Sequence, residues 1–443
     1  MNTITVNAAL SQGPVKPMHG VCNSPISFGG LTDLSRAWKK AGFPYGRLHD
    51  NDWPHPISVD IPQIFRNFSA DTNDPANYDF ANTDASLKAI INCGANIIYR
   101  LGTSIEHTAR KVYTEVPTDY EKWADICVHV IRHYNEGWAD GFHWNIPYWE
   151  IWNEADLNQD DMWKGTPEQY FDLYVTAAKT IKSACPNVKV GGPALAGYGH
   201  SDFAKGLLKK IREENAPLDF FSWHLYRNEP EHFRTAISTI EGYLKEFGFE
   251  NVTLICDEWN YNPVYGFALC NDDEVSEKQK IAYFSTMSNE IGAAFCAAVL
   301  CTLQNSRNDI ATYYDSQPTN LWCGIFDRYG VPTKSFYAFC TFNELYKLGN
   351  SIQAKGPADS LYFVSAADEN KLCVLVSRYL SSPDKVELIF NNFSFENAVY
   401  TIRRTDKFYT DSEAERGNFK NNRIEFFLPE NSFALITITK NQR

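Results

Sequence analysis

Short apolar runs with polar tips recur along the chain, and each is followed by a segment whose apolar positions repeat every three or four residues. His19–Phe28, Tyr45–Asp50, Ala95–Leu101, the run starting at Tyr148, Val188–Pro193, Asp219–Tyr226, the run starting at Val252, and Ala293–Leu303 read as eight strands. Between them the spacing predicts helices. Leu31–Ala41 ends at Gly42 and Asp84–Cys93 stops at Gly94. In Tyr120–Tyr134, the residues Trp123, Ile126, Cys127, Val130, Ile131 and Tyr134 share one face. Thr166, Pro167 and Gln169 form an N-terminal capping signal for a helix that Pro186 ends. Phe203–Glu214, Phe233–Phe247 and Lys278–Ile291 complete the set.

Strands alternating with helices imply a parallel sheet with right-handed crossovers. Eight such units close into an α/β fold, the (β/α)8 or TIM barrel, over residues 17–349. After Gly349 the pattern changes to short alternating runs, among them Leu372–Val376, Val386–Phe390 and Ala434–Thr439. These predict a small antiparallel β-sandwich over 350–443. Residues 1–16, where Asn2–Val6 alternates like an edge strand, are expected to join it.

Two of the barrel runs end in carboxylates. YWEIWNEADL (Tyr148–Leu157) carries Asn153 and Glu154 past its apolar part, and VTLICDEWNY (Val252–Tyr261) carries Glu258. Barrel enzymes place their working side chains at the C-terminal tips of strands. Two carboxylates on two strands, among many aromatics, are the apparatus of glycoside cleavage. Strand alternation turns Asp257 away from Glu258, which makes it structural, and points Glu150 to the barrel interior or a helix.

Composition narrows the partners. A net charge of −13 argues against a nucleic-acid backbone or an anionic membrane as partner. Aromatic residues reach 14%, enough to supply sugar platforms or simply a Tyr- and Phe-rich core; Trp163, Trp259 and Trp322 fit either use. Eleven cysteines, mostly in apolar runs and with no CxxC pair, read as free thiols in a reducing compartment. With no signal-peptide pattern and no long apolar span, the cytoplasm is the expected location. No clustered His/Asp set indicates a metal, and no Gly-rich dinucleotide turn or phosphate loop indicates a cofactor, which disfavours an oxidoreductase or aldolase on this barrel.

WEIWNEADL and ICDEWN together resemble the two active-site strands of glycoside hydrolase family 39, a clan A family of β-xylosidases and α-L-iduronidases. GRLHD (Gly46–Asp50), GGPALAG (Gly191–Gly197) and SWHLY (Ser222–Tyr226) extend the resemblance to its second, fifth and sixth strands, and barrel followed by sandwich is the family's layout. The resemblance implies a retaining double displacement, with Glu154 as acid/base and Glu258 as nucleophile. It implies Tyr226 and Arg47 as partners of Glu258, Asn153 as donor to the sugar 2-OH, and His49 and His224 as further hydroxyl ligands. Glu154 must be protonated to act as acid, and aromatic walls at Trp152 and Trp223 would favour that. The chain departs from the family twice. Ala155 stands where the family carries proline, and the segment after strand eight reads ATYYDSQPTNLWCGIFD, with Asp315 and Trp322 where the sugar should bind. The expected activity is exo-acting and β-xylosidase-like on plant-type oligosaccharides. An α-L-arabinosidase, a β-galactosidase-like enzyme and an inactive carbohydrate-binding barrel are the alternatives. The resemblance is compatible with a homo-oligomer.

Overall fold

The computed structural model describes residues 2–440 apart from 28–29, 50–58, 105–110, 158–161, 264–274, 319–323, 358–360, 394 and 396–397. A closed eight-stranded barrel holds the centre. Its strands are β2 (Gly20–Cys22), β3 (Tyr45–Leu48), β4 (Asn96–Leu101), β5 (Tyr148–Ile151), β6 (Lys189–Leu195), β7 (Phe220–Tyr226), β8 (Thr253–Asn260) and β9 (Ile310–Tyr313), each parallel to the next, with β9 returning to β2. The floor of its interior is apolar: Ile98, Tyr148, Phe220, Ile255 and Ile310, flanked by Tyr45. Two residues further along the same strands the interior turns polar, with Arg47, Arg100, Glu150, Ser222, Asp257 and Thr312 all buried.

Seven of the nine helices named next form close to where the spacing predicts. They are α1 (Ser35–Ala41), α2 (Ala81–Asn92), α3 (Tyr120–Asn135), α4 (Pro167–Ala184), α5 (Ser201–Glu213), α6 (Glu231–Glu246), α7 (Glu277–Ser288), α8 (Glu290–Gln304) and α9 (Phe336–Tyr346). α4 starts with the complete capping box of Thr166 and Gln169, and Asp119 accepts from the Lys122 N–H to start α3. α1 ends at Gly42 in the left-handed conformation, φ 63°.

Two expectations at the barrel's ends are corrected. The first strand is only Gly20–Cys22; the chain then makes a small hairpin of Ile26–Ser27 with Thr32–Asp33, and α1 begins at Ser35 rather than Leu31. Gly20 is fixed here by close packing, since a Cβ would stand 2.8 Å from the Ala311 carbonyl oxygen. More consequentially, Ala293–Leu303 is part of helix α8, and the last barrel strand is Ile310–Tyr313. Apolar on every side, the run carries no period. Its length and its alanines favour a helix. It is buried all round because it packs between α6, α7 and α9 and the second sheet.

That second sheet has nine strands in the order β15-β14-β17-β12-β11-β10-β1-β13-β16. They are β1 (Asn2–Pro14), β10 (Asn350–Lys355), β11 (Tyr362–Ala367), β12 (Lys371–Arg378), β13 (Asp384–Asn391), β14 (Val399–Thr405), β15 (Ser412–Asn418), β16 (Arg423–Leu428) and β17 (Ser432–Thr439). Its inner face gathers Ile4, Val6, Val374, Leu388, Ile402, Phe426 and Ile436 into one core, so the sheet folds over on itself. It is mixed, not wholly antiparallel. β1 is an interior strand, antiparallel to β10 on one side and parallel to β13 on the other, where an edge position was expected. The other face of β11, β12 and β17, through Val364, Leu375 and Leu435, belongs to the same core as the barrel helices.

Candidate active site

The polar layer of the barrel is built around Arg47. Its guanidinium is fully buried and has no solvent to fall back on. Nη1 donates to Glu258 Oε1 at 2.5 Å, Nη2 to Glu150 Oε2 and Asn153 Oδ1 at 2.7 Å each, and Nε to Glu150 Oε2 at 2.9 Å. Nε also faces Asp257 Oδ2 at 3.2 Å. One cation thus touches three carboxyl groups. A buried charge is tolerated only when paired and hydrogen-bonded in this way.

Asp257 is in this layer because of a β-bulge. Against β7, Cys256 pairs with Trp223 and Glu258 with His224, so Asp257 is the extra residue. Alternation from Ile255 carries Asp257 inward, and the bulge then brings Glu258 inward as well. The expectation that the two point to opposite faces fails for this reason. Burial pushes the Glu150 carboxyl up to about 8 against the pull of Arg47, and Arg47, Glu150 and His224 outweigh burial to hold Asp257 low.

Glu154 leaves β5 on a constrained turn. Trp152 and Glu154 both have positive φ, 70° and 48°, a conformation costing a non-glycine residue about 1–3 kcal/mol. The turn is held by the Trp152 N–H on the Leu101 carbonyl, the Trp152 indole on the Met162 carbonyl, and the Glu154 N–H on the Ala194 carbonyl. His224 bridges the site. Its Nδ1 lies 2.6 Å from Glu154 Oε1 and 3.6 Å from Glu258 Oε2, and its Nε2 lies 3.3 Å from Asp257 Oδ1. Burial alone would lower the His224 pKa; the Glu258 charge and the contacts to Asp257 and Glu154 outweigh it and hold the ring well above its ordinary value. Tyr226 donates its hydroxyl to Glu258 Oε2 at 2.5 Å, and burial and the Glu258 charge keep that hydroxyl protonated.

Arg47, Asn153, Glu154, His224, Tyr226 and Glu258 therefore meet in one network. His49 lies beside it at the end of β3, fully buried. Arg100 Nε donates to its Nδ1 at 3.2 Å, which leaves Nε2 as the ring's N–H. Arg100 is in turn held by Asp60 and Ser104. Asp315 follows β9, accepts from Asn23 Nδ2 at 2.7 Å, and is pushed up to about 7 by burial, with the Glu258 charge acting in the same direction. Trp322, His107 and Asp50 lie outside the described residues.

Several aromatics are core. Trp223 alternates outward from Ser222 and His224 and donates to Asn308; Trp152 packs edge-on against Trp163; Trp259 packs against Tyr313 and Phe339. Trp152 and Trp223 are thus not walls of the site. Sequence reasoning missed Asp257, Arg100, Asn23 and Gln317 as members of the buried polar set. An Asp beside a strand-end Glu is a signal only once the bulge is known. Among the described residues, one trio has metal-ligand spacing, Glu154, His224 and Glu258, with ligand atoms within 4.8 Å of one another. Those atoms already serve the His224–Glu154 and Tyr226–Glu258 contacts.

The chain is similar to proteins already known. A β-xylosidase of Geobacillus stearothermophilus is 26% identical over 352 residues, 71% of this chain and 64% of that protein. The match thus takes in less than two thirds of that relative. A β-xylosidase of Caldicellulosiruptor saccharolyticus is 24% identical over 410 residues, 85% of this chain and 78% of its own length. The crystal structure of a glucosidase from Croceicoccus marinus superposes with a TM-score of 0.83 at 20% identity, covering 100% of this chain and 99% of that one, and shows the same fold. The profile of the glycosyl hydrolases family 39 matches residues 32–439, and the chain belongs to that family.

Proposed function

We propose that the protein is a retaining, exo-acting glycosidase that releases a terminal β-xylosyl residue from short oligosaccharides. The observation that carries the mechanism is the spacing of the trio: the ligand oxygens of Glu154 and Glu258 lie within 4.8 Å of each other. Retaining enzymes hold their carboxyl groups about 5–5.5 Å apart, whereas inverting ones need about 6.5–9.5 Å to admit water. Glu258, held between Arg47 and Tyr226, attacks the anomeric carbon. Glu154 gives its proton to the departing oxygen, then takes one from the water that cleaves the glycosyl ester. Asn153, fixed by Arg47, meets the 2-OH, and His49 Nε2–H and Asp315 meet other hydroxyls. The two named relatives, both β-xylosidases, support the choice of sugar. Nine described cysteines stand as free thiols, which supports a reducing compartment such as the cytoplasm.

The test is nitrophenol release from aryl β-xyloside, α-L-arabinofuranoside, α-L-arabinopyranoside, β-galactoside and β-glucoside by wild type and Glu258→Ala. A preference for the β-xyloside that vanishes in the variant is expected. Release by the variant near the wild-type rate overturns Glu258 as nucleophile. A preference for another sugar overturns the xyloside assignment, and no release from any glycoside revives the carbohydrate-binding barrel.

A further inference from the structure

Asp257 has no role in the mechanism above, yet it is fully buried and the bulge in β8 exists at its position. Neither of its carboxylate oxygens has a conventional hydrogen-bond donor, and His224 Nε2 has no conventional partner either. These atoms face one another, with His224 Nε2 3.3 Å from Asp257 Oδ1. The other ring nitrogen reaches Glu154 Oε1 at 2.6 Å. The other Asp257 oxygen faces Arg47 Nε at 3.2 Å, which anchors the carboxylate from behind. A buried polar atom without a partner costs about 1–3 kcal/mol, so an arrangement that keeps two of them face to face calls for a proton between them.

We propose that Asp257, His224 and Glu154 form one chain in which Asp257 is a positioning residue: it keeps the His224 ring doubly protonated, with Nε2–H toward Asp257 and Nδ1–H on Glu154 Oε1. This rests on Glu154 being the acid/base. With Oε1 committed to the ring, Glu154 carries the mobile proton on its other oxygen. In the first half-reaction that proton passes to the aglycone oxygen as the anomeric C–O bond breaks and the bond to Glu258 forms. The new Glu154 carboxylate is then opposite an imidazolium that already donates to it. In the second half-reaction water loses its proton to the same Glu154 oxygen, its hydroxyl bonds to the anomeric carbon, and Glu258 leaves as a carboxylate. The ring keeps both protons throughout, so the acid and its conjugate base meet the same donor without reorganisation.

Other titratable groups surround this chain. Arg47 on β3, Cys22 on β2, Glu150 on β5, Tyr226 on β7 and Glu258 on β8 all face it, and Asp315 follows β9 beyond Glu258. The Cys22 thiol is pushed up by burial and stays neutral, as does Tyr226. Glu258 also raises the proton affinity of the ring, but it becomes a neutral ester in the intermediate. Asp257 is the carboxylate whose charge on the ring survives that step.

The test compares wild type with Asp257→Asn on aryl glycosides of graded leaving group. In the variant the ring is expected to lose a proton within the neutral range, moving the basic limb of kcat/KM down by at least about one pH unit. The rate on a poor leaving group is expected to fall about 100-fold, the lower end of what general acid catalysis contributes, and on a dinitrophenyl leaving group only a few-fold. Equal losses on all substrates with an unchanged pH profile would mean a merely structural Asp257 and would overturn the proposal. A second reading needs no substitution: ring-15N histidine NMR of the native enzyme at pH 7 must show both His224 nitrogens protonated. A neutral ring refutes the chain even if Asp257→Asn does not fold. That spectrum also separates this proposal from the proposed function, since it stands whether or not any glycoside is turned over.

Discussion

Asp315 couples the site to the stability of the free protein. The residue is 4% exposed, and burial raises its pKa from 3.8 to about 7. The unfolded chain gives up this proton near 3.8 while the folded protein keeps it to about 7. Between those values the folded state binds more protons, so this group's contribution to stability is complete below 3.8 and is lost as pH rises through 7. Roughly three units at about 1.4 kcal/mol each amounts to about 4 kcal/mol. Asp315→Asn replaces the carboxyl with a group that is neutral at every pH and still accepts from Asn23. Its stability relative to wild type should therefore climb between about pH 4 and 7 and level off above, with the variant ahead by about 4 kcal/mol at pH 8. Urea unfolding of both proteins at pH 5, 6, 7 and 8 measures this directly. A difference independent of pH, or one that shrinks as pH rises, would refute the reasoning.

Two more predictions are simpler. Tyr226→Phe removes a close donor to Glu258 and leaves that of Arg47; a hydrogen bond to a charged group is worth about 1.5–3 kcal/mol, so kcat/KM should fall about 10- to 100-fold with the protein still folded, and a loss under about 3-fold would remove Tyr226 from the machinery. Gly42→Ala drives a Cβ into the Asn343 side-chain amide at a φ of 63°, and should destabilise the fold by about 1–3 kcal/mol in urea melts while leaving the activity of folded molecules intact; a neutral result would show that α9 gives way freely.

The barrel could be read from the chain because runs such as Tyr45–Asp50 and Asp219–Tyr226 end in polar tips and the helices between them carry a period or a cap, as Thr166 and Gln169 do for α4. The eighth run failed for a physical reason. A helix buried on all sides shows no polar face, so α8 looks like a long core strand. The true last strand, Ile310–Tyr313, is four residues long and hides behind it. The side chains expected around Glu258 were visible as strand-end motifs, and Arg47, Tyr226, His224 and Asn153 do converge there. Asp257 was hidden because alternation holds only in an unbroken ladder, and a bulge leaves no mark in composition. Trp152 and Trp223 were misplaced because indoles next to catalytic residues serve the surrounding helices as readily as the cavity.

The place of β1 inside the second sheet has a consequence for biosynthesis. Thr3 donates to Glu387 across a separation of 384 residues. At about 5–20 residues per second, the first strand leaves the ribosome about 20–80 s before its partner exists. Throughout that time Ile4 and Val6, which end fully buried, have no sheet to enter. The barrel can assemble in the interval, but the outer face of α8 stays open until β11, β12 and β17 arrive. The nascent chain thus exposes two apolar surfaces that are meant for the same late event. Dependence on a chaperone during synthesis, and poor yield when the chain is trimmed at either end, follow from where one strand sits.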